Sequence, residues 1–214
     1  MSDSSKITEL YFRSGKWQQG SWMGVPCMKN PLDAWALQQV IYKVKPNVIV
    51  ELGTWKGGSS LFFASLLDLI GIGGVVITVD KNKNLCEMNK DICSSELASR
   101  RVRRFVGDSI DDKVLKKVKN LIKGHHTVLV DIDSDHKYNH VLKEMEMYGQ
   151  LVTLGSYMIV EDGCMNGHPI LPEFGAGPYE AIKEFLKRHK EFVVDKTYQD
   201  AGSFNVNGFL KKVK

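Results

Sequence analysis

Two short acidic segments in the second half of the chain contain residues that could bind a metal ion. They are Val130-Asp-Ile-Asp-Ser-Asp-His136 and Val160-Glu-Asp162. Carboxylates that converge repel one another unless a cation lies among them. Hard oxygen donors suit Mg²⁺, which keeps open coordination positions for substrate oxygens. The residue types therefore predict a metal site made of Glu161 and Asp162 with either Asp133 or Asp135.

His136 and Lys137 follow the first acidic segment and are candidate general bases. An unperturbed imidazole titrates near neutral pH, so His136 is the first candidate to accept a proton from a hydroxyl group. A metal ion would lower the pKa of that hydroxyl and orient it. Structural roles stay open as well, since Asp135 could cap a helix that starts near residue 137 and His136 could be a surface residue.

A glycine-rich segment, Glu51-Leu-Gly-Thr-Trp-Lys-Gly-Gly-Ser59, follows the first strongly apolar run. Glycine permits a tight turn and a close backbone approach, and the start of the next helix offers free N–H groups to an anion. The spacing is not G-x-G-x-x-G, which disfavours a dinucleotide. The candidate ligand-binding residues of this segment are Glu51, Gly53, Thr54, Gly57, Gly58 and Ser59.

Further polar residues end the next predicted strands. Asp80 ends the second strand, where a carboxylate can accept hydrogen bonds from ribose hydroxyls. Asp108 and Ser109 follow the third strand, and Asp131 ends the fourth. Together with the glycine-rich segment, these residues predict a nucleoside-binding site. The alternative is that the glycines only shape a turn and that Asp80 only caps a loop.

The elements that must position these residues form an alternating pattern from about residue 47 onward. Strands are predicted at 47–51, 75–80, 102–106, 127–131, 157–161, 192–194 and 204–210, and helices at 60–69, 84–98, 112–122, 137–149 and 178–189. This pattern predicts an α/β fold: a single Rossmann-like, doubly wound domain with a mostly parallel seven-stranded sheet and helices on both faces. Ligands of such sheets bind at the carboxyl ends of the strands. Residues 1–45 are expected to form an N-terminal extension with a helix at 32–43.

Composition narrows the function. The 214 residues carry a formal net charge of +4 that is spread along the chain, so nucleic acid is not expected as a partner. The four cysteines have no zinc-site spacing. The N-terminus is polar and no apolar run reaches membrane-spanning length, so we expect a cytoplasmic protein without a signal peptide or membrane span.

In several of these motifs the chain resembles the cephalosporin hydroxylase family, which includes rhamnosyl O-methyltransferases. The matching segments are Trp22-Met-Gly-Val-Pro26, Asn30-Pro-Leu-Asp33, Glu51-Leu-Gly-Thr54 with Gly57-Gly-Ser59, Val130-Asp-Ile-Asp-Ser-Asp-His136, Gly155-Ser-Tyr-Met-Ile-Val-Glu-Asp162, Asn166-Gly-His-Pro169 and Gly175-Ala-Gly-Pro178. They extend over nearly the whole chain.

The resemblance implies that residues 46–214 form a methyltransferase-like domain that binds S-adenosylmethionine (SAM), with a Mg²⁺ site of the catechol O-methyltransferase type. By position, it implies Asp135, Glu161 and Asp162 as metal ligands, with Asp133 as the competing first ligand. It assigns the SAM-binding positions to Glu51, Gly53, Gly57, Ser59 and Asp80. Homo-oligomer formation is implied as well.

Three functions follow from these observations. The first is a SAM- and Mg²⁺-dependent O-methyltransferase that acts on a hydroxyl of a small molecule or sugar, with Asn166, His168 and the 171–177 loop shaping the acceptor pocket. The second is a non-catalytic SAM-binding partner of an oxygenase. The third is a dinucleotide-dependent dehydrogenase, which the glycine spacing disfavours.

Overall fold

A computed structural model describes residues 3–82, 95–199 and 201–214. Within these ranges, seven strands form one sheet: β3 (Val48–Leu52), β4 (Val75–Asp80), β5 (Val102–Val106), β6 (Val128–Ile132), β7 (Tyr157–Val160), β8 (Phe192–Val194) and β9 (Phe209–Lys212). Their order in the sheet is β5-β4-β3-β6-β7-β9-β8. The five strands β3, β4, β5, β6 and β7 run parallel to one another, and β9 pairs antiparallel with both β7 and β8. The predicted α/β fold with a mostly parallel seven-stranded sheet is confirmed.

Helices cover both faces of the sheet because the buried strands are apolar on both faces. In β3, Val48, Val50 and Leu52 belong to one core cluster, whereas Ile49 belongs to the other. The first cluster includes residues of α5 (Asp112–Ile122), α6 (Tyr138–Tyr148) and α7 (Pro178–Arg188), and the second includes residues of α2 (Pro31–Val44) and α3 (Gly58–Leu69). Because side chains alternate along a strand, Glu51 in β3 and its register partner Asp131 in β6 face the α2/α3 side.

The N-terminal segment is more ordered than the sequence predicts. It contains α1 (Asp3–Arg13), a 3₁₀ turn (Lys16–Gln19), and a two-stranded hairpin of β1 (Ser21–Trp22) and β2 (Val25–Pro26) before α2. The prediction for α2 is confirmed at its start, where the Asn30 side chain accepts a hydrogen bond from the Leu32 N–H and Pro31 is the first helical residue. Helix α1 was not predicted; its aromatic residues pack with Trp17 against Phe204.

Two predicted elements differ from the structure by more than two residues at one end. The predicted helix at 84–98 lies largely outside the described residues; α4 covers Glu96–Arg101, and Ser95 caps it. The last strand was predicted at 204–210, but β9 begins at Phe209. Residues 204–208 instead form a turn beside the carboxyl end of β7, because the Asp33 carboxylate accepts the Phe204 N–H and so draws this segment towards α2. Among helices in the described ranges, none is long and apolar enough to cross a membrane.

Candidate cofactor and metal site

The turn after β3 is held by contacts between backbone segments. Gly53 has φ +103°, and a Cβ atom there would overlap the Asp133 carbonyl group in the turn after β6. At Gly58, a Cβ would overlap the Pro26 carbonyl group of β2. The absence of a side chain at Gly53 and Gly58 therefore lets other parts of the chain approach closely, and both glycines also line the inner cavity described below. Gly57, with φ +79°, precedes the first residue of α3.

A cavity of about 440 Å³ opens at the carboxyl ends of β3, β4 and β5, and we call it the strand-edge cavity. Its volume falls within the usual range for a small-molecule site. It is lined by Gly53, Trp55, Val79, Asp80, Lys81, Gly107, Asp108, Ser109, Asp133, Ser134, Asp135, His136, Lys137, His140 and Phe174.

Asp80 stands at the centre of the predicted nucleoside site and is fixed by two backbone hydrogen bonds. Its Oδ2 accepts from the Trp55 N–H at 2.8 Å, and its Oδ1 accepts from the Asn82 N–H at 2.8 Å. A carboxylate oxygen can accept more than one hydrogen bond, so both oxygens keep capacity for ribose hydroxyls. Asp108 lines the same cavity, and its Oδ1 accepts the Ile110 N–H at 3.1 Å.

A buried hydrogen-bond network underlies this cavity and joins its two ends. The Glu144 carboxylate accepts from the Ser134 hydroxyl at 2.6 Å and lies 3.3 Å from the His140 Nε2. The same ring nitrogen lies 3.1 Å from the Ser109 hydroxyl. The hydrogen bond to Glu144 raises the pKa of His140 above its usual range. The network fixes Ser109, on the nucleoside side, relative to Ser134, on the acidic side.

A second cavity of about 330 Å³ lies deeper, between the sheet edge and the N-terminal segment, and we call it the inner cavity. It is lined by Trp17, Pro26, Cys27, Met28, Lys29, Asn30, Asp33, Gly53, Trp55, Gly58, Ser59, Asp133, Ser134, His136, Glu161, Asp162, Met165, Phe204 and Asn205. Five residues line both cavities, among them His136 and Asp133. The two cavities therefore adjoin at the acidic residues.

Asp133, His136 and Asp162 form the group best suited to a metal ion among the described residues. One potential ligand atom from each lies within 4.8 Å of the others, and the His136 Nε2 is 3.4 Å from the Asp162 Oδ2. Burial and the neighbouring Asp133 charge raise the pKa of Asp162, although His136 opposes the shift. A divalent cation would relieve both effects, and oxygen donors suit Mg²⁺. The residues present therefore fit the metal.

Lys29 is a buried cation that contacts Asp133 and two further carboxylates beside the Asp133–His136–Asp162 group. Its Nζ forms an ion pair with Glu161 and lies 3.4 Å from carboxylate oxygens of both Asp131 and Asp133. It also lies over the Phe63 ring, 5.5 Å from the centroid. Burial alone would lower the pKa of Lys29, but the three carboxylates raise it well above its usual range. Burial and Asp133 likewise raise the pKa of Glu161.

The remaining predicted metal and catalytic residues have other partners. Asp135 lines the strand-edge cavity, and its Oδ1 accepts the Lys137 N–H at 3.0 Å just before α6. The Lys137 Nζ donates to the Phe174 carbonyl at 3.2 Å and lies 3.8 Å from the centroid of the Phe174 ring. Among the predicted metal ligands, Glu161 pairs with Lys29, whereas Asp135 lies outside the Asp133–His136–Asp162 group.

Several predicted cofactor residues lie beneath the cavities. Glu51, Thr54, Gly57 and Asp131 line neither cavity. Glu51 is fully buried and accepts a hydrogen bond from the Ser60 hydroxyl at the start of α3, and burial raises its pKa to about 7. Thr54 shares a 2.5 Å hydrogen bond with Thr78. These residues hold the turn, whereas Gly58 and Ser59 line the inner cavity.

Asn166 and His168 lie away from both cavities. Their side chains contact the Glu180 carboxylate at 3.0 and 2.9 Å, and the other oxygen of Glu180 accepts the Gly177 N–H. They therefore fasten the 163–177 loop to the start of α7. Within the 171–177 segment, Phe174 reaches the strand-edge cavity.

Sequence reasoning missed Lys29, Asp33 and Asn205, which line the inner cavity. Burial raises the pKa of Asp33 to about 6, although its carboxylate accepts hydrogen bonds from Ser203 and Phe204. For two of the three a signal existed, because Lys29 and Asp33 flank the Asn30-Pro31 start of α2. Nothing in the local pattern of Asn205 distinguishes it from other loop asparagines.

The strand order and the cavities at the carboxyl ends of the strands define the class of fold, which is that of the SAM-dependent methyltransferases. A CmcI structure with Mg-SAM aligns with 92% of this chain and 78% of its own, with a TM-score of 0.69 and 22% identity. An O-methyltransferase from Bacillus cereus in complex with SAH aligns with 87% of this chain and 78% of its own, with a TM-score of 0.56 and 18% identity.

The family follows from sequence comparison. The model of the family described as Rhamnosyl O-methyltransferase/CmcI matches residues 14–213, so the chain belongs to this family. It is similar to the rhamnosyl O-methyltransferase of Mycobacterium leprae, with 35% identity over 98% of this chain and 90% of that protein. It is also similar to that of Mycobacterium tuberculosis, with 35% identity over 82% of this chain and 69% of that protein. The family resemblance seen in the sequence is confirmed.

Proposed function

We propose that this protein is a SAM- and Mg²⁺-dependent O-methyltransferase that acts on a hydroxyl group of a sugar. The observation that carries the proposal is that the strand-edge cavity and the inner cavity adjoin at His136, beside the carboxylates of Asp133 and Asp162. An acceptor hydroxyl placed there has a base, a candidate metal site and a cofactor cavity within one small volume.

In this proposal the strand-edge cavity holds the cofactor. Asp80 is placed to accept hydrogen bonds from ribose hydroxyls, and Ser109 and Asp108 border the space beside it for the base. The names of relatives with bound SAM or SAH support this choice of cofactor. Gly58 and Ser59, at the start of α3, line the inner cavity. Their backbone N–H groups are offered to the carboxylate of the cofactor, which would extend from the strand-edge cavity towards them.

The proposed metal ligands are Asp133 and Asp162, because their oxygens already lie together with the His136 ring. Asp135 remains the alternative first ligand, and Glu161 could join the set only by exchanging Lys29 for the metal. When bound, SAM supplies an electrophilic methyl group, and Mg²⁺ favours ionisation of an acceptor hydroxyl. His136 then accepts the hydroxyl proton at Nε2, and the Asp162 carboxylate stabilises the resulting imidazolium.

A sugar acceptor is supported by the names of the curated relatives, which are rhamnosyl O-methyltransferases. The inner cavity is lined by the apolar side chains of Trp17, Met28, Met165 and Phe204 together with polar groups. A deoxysugar offers the same combination of apolar ring faces and hydroxyl groups. The homo-oligomer and the cytoplasmic location stay predictions.

The test is transfer of a labelled methyl group from SAM to a rhamnoside such as methyl α-L-rhamnoside. We expect turnover that stops with a chelator and returns with added Mg²⁺. Turnover that persists with the chelator would contradict the metal part of the proposal. SAM binding by calorimetry without transfer to any of a panel of glycosides would favour the non-catalytic alternative.

A further inference from the structure

The segment 201–208 connects the acidic residues to the inner cavity. It lies against the residues that come directly after β7. The Asp162 N–H donates to the Asn205 Oδ1 at 3.1 Å, and the Cys164 N–H donates to the Phe204 carbonyl at 2.9 Å. Asp162 has φ +58°, a left-handed conformation that is uncommon for aspartate. The Asn205 side chain therefore helps to hold the backbone of a proposed metal ligand in an unfavourable conformation.

The same segment is fixed from its other side by the start of α2. The Asn30 Nδ2 donates to the Gly202 carbonyl at 2.8 Å, and the Asp33 carboxylate accepts the Phe204 N–H at 2.7 Å. The Asn205 N–H donates to the Ser203 hydroxyl at 3.0 Å. Asn205 is only 1% exposed, so its position is determined by contacts on both sides.

The Asn205 amide nitrogen lacks a hydrogen-bond partner among the described residues, although it is buried. The orientation of the amide follows from its other branch, since only the oxygen can accept from the Asp162 N–H. Buried polar groups in folded proteins nearly always have partners, and one that does not calls for an explanation, such as strain, a catalytic role or a bound water or ion. Asn205 is one of the residues that line the inner cavity, so a ligand bound there would be a neighbour of this side chain.

We propose that Asn205 positions the methyl acceptor: its Nδ2 donates a hydrogen bond to an oxygen of the sugar in the inner cavity, while its Oδ1 holds the Asp162 backbone. One side chain then sets the acceptor and the proposed metal ligand relative to each other. The Trp17 and Phe204 rings supply the apolar walls against which a sugar ring packs. This inference rests on the proposed function.

The test compares Asn205→Asp with Asn207→Asp, a change in the same segment at a partly exposed residue that lines neither cavity. Asn205→Asp keeps an oxygen for the Asp162 N–H but replaces the donor by an acceptor. Calorimetry first measures S-adenosylhomocysteine (SAH) binding, and then methyl α-L-rhamnoside binding to the protein loaded with SAH and Mg²⁺. We expect Asn205→Asp to weaken rhamnoside binding about tenfold or more, with SAH affinity unchanged. In turnover assays, KM for the rhamnoside should rise while kcat changes less than about threefold.

Asn207→Asp should behave as the wild type in each measurement. Rhamnoside affinity equal in wild type and Asn205→Asp, or no rhamnoside binding to the loaded wild type, would overturn the inference while SAH binding leaves the proposed cofactor site intact. A wild type that binds no SAH would overturn the proposed function itself and the inference with it. A thermal midpoint of Asn205→Asp close to that of the wild type excludes a general loss of structure as the cause.

Discussion

The two cavities that adjoin at His136 are built in different ways. The strand-edge cavity is formed largely by residues that follow β3, β4, β5 and β6 directly, and it is held by a network through Glu144. The inner cavity shares the turns after β3 and β6, and most of its other lining residues come from three segments that are distant in the chain, around 26–33, 161–165 and 204–205. Regular elements thus position the cofactor side, whereas fastened loops position the acceptor side.

The buried carboxylates of the two regions also differ in the kind of partner that stabilises them. Beneath the turn after β3, the buried Glu51 accepts a hydrogen bond from the Ser60 hydroxyl. On the acceptor side, buried carboxylates surround the ammonium group of Lys29. We therefore expect Glu51 to contribute to the pH dependence of stability as a buried acid, and the carboxylates around Lys29 to respond to the removal or addition of a cation.

The largest expected effect is that of Lys29→Met. Removing this ammonium group leaves Glu161 and Asp131 buried without their cation, so the free energy of unfolding should fall by about 3–5 kcal/mol. Chemical denaturation measures the change, with the exposed Lys117→Met as the matched control. Added Mg²⁺ should stabilise Lys29→Met more than it stabilises the wild type. Equal stability of Lys29→Met and Lys117→Met would show that the acidic group does not need its internal cation.

Next in size is the loss of activity in Asp162→Asn. Asp162 is a proposed metal ligand beside His136, so Asp162→Asn, which removes its charge, should lower kcat/KM at least about 100-fold. The affinity for SAH should stay nearly unchanged. Asp133→Asn should act similarly, and Asp135→Asn should cost less than about tenfold because Asp135 lies outside the group. If Asp135→Asn were as severe as Asp162→Asn while Asp133→Asn were mild, the first ligand would be Asp135.

Glu51→Gln should change the pH dependence of stability. The folded protein holds the Glu51 proton up to about pH 7, whereas the unfolded chain releases it near the ordinary pKa of 4.5. In that window the folded state binds more protons, so the contribution of Glu51 to the unfolding free energy falls as pH rises, by about 1.6 kcal/mol between pH 5.5 and 7. Glu51→Gln should make the slope of the unfolding free energy against pH shallower and leave the part due to Asp33, whose pKa is raised to about 6, as denaturation at several pH values would reveal. A parallel pH dependence in both proteins would contradict the buried acid.

The smallest expected effect is that of Asp80→Asn. The neutral amide can still accept one backbone N–H but loses acceptor capacity for the ribose hydroxyls, so SAH affinity should fall about tenfold. The Mn²⁺ affinity of Asp80→Asn, measured without SAH, should equal that of the wild type, since Asp80 lies outside the Asp133–His136–Asp162 group. A matching loss of Mn²⁺ affinity would mean that the two sides of the site are not independent.

The same contrast explains which parts of the molecule the sequence predicts. Alternating apolar runs indicate the strands, and the residues that follow them, such as Asp80 and Ser109, lie in the strand-edge cavity because parallel strands end at one edge. Tertiary contacts leave no local pattern, even where a residue such as Lys29 lies next to a recognisable helix start. Asn205 was placed in a predicted strand, and Lys29 was not recognised because its carboxylate partners lie more than 100 positions away.

Diffraction from crystals grown with SAH and Mn²⁺ tests the central claim most directly, since the anomalous signal locates the metal independently of the protein. We predict a manganese peak between the carboxylates of Asp133 and Asp162, next to the His136 ring, with the adenosine of SAH beside Asp80 in the strand-edge cavity. Manganese bound away from these carboxylates, or SAH bound outside the strand-edge cavity, would contradict the account.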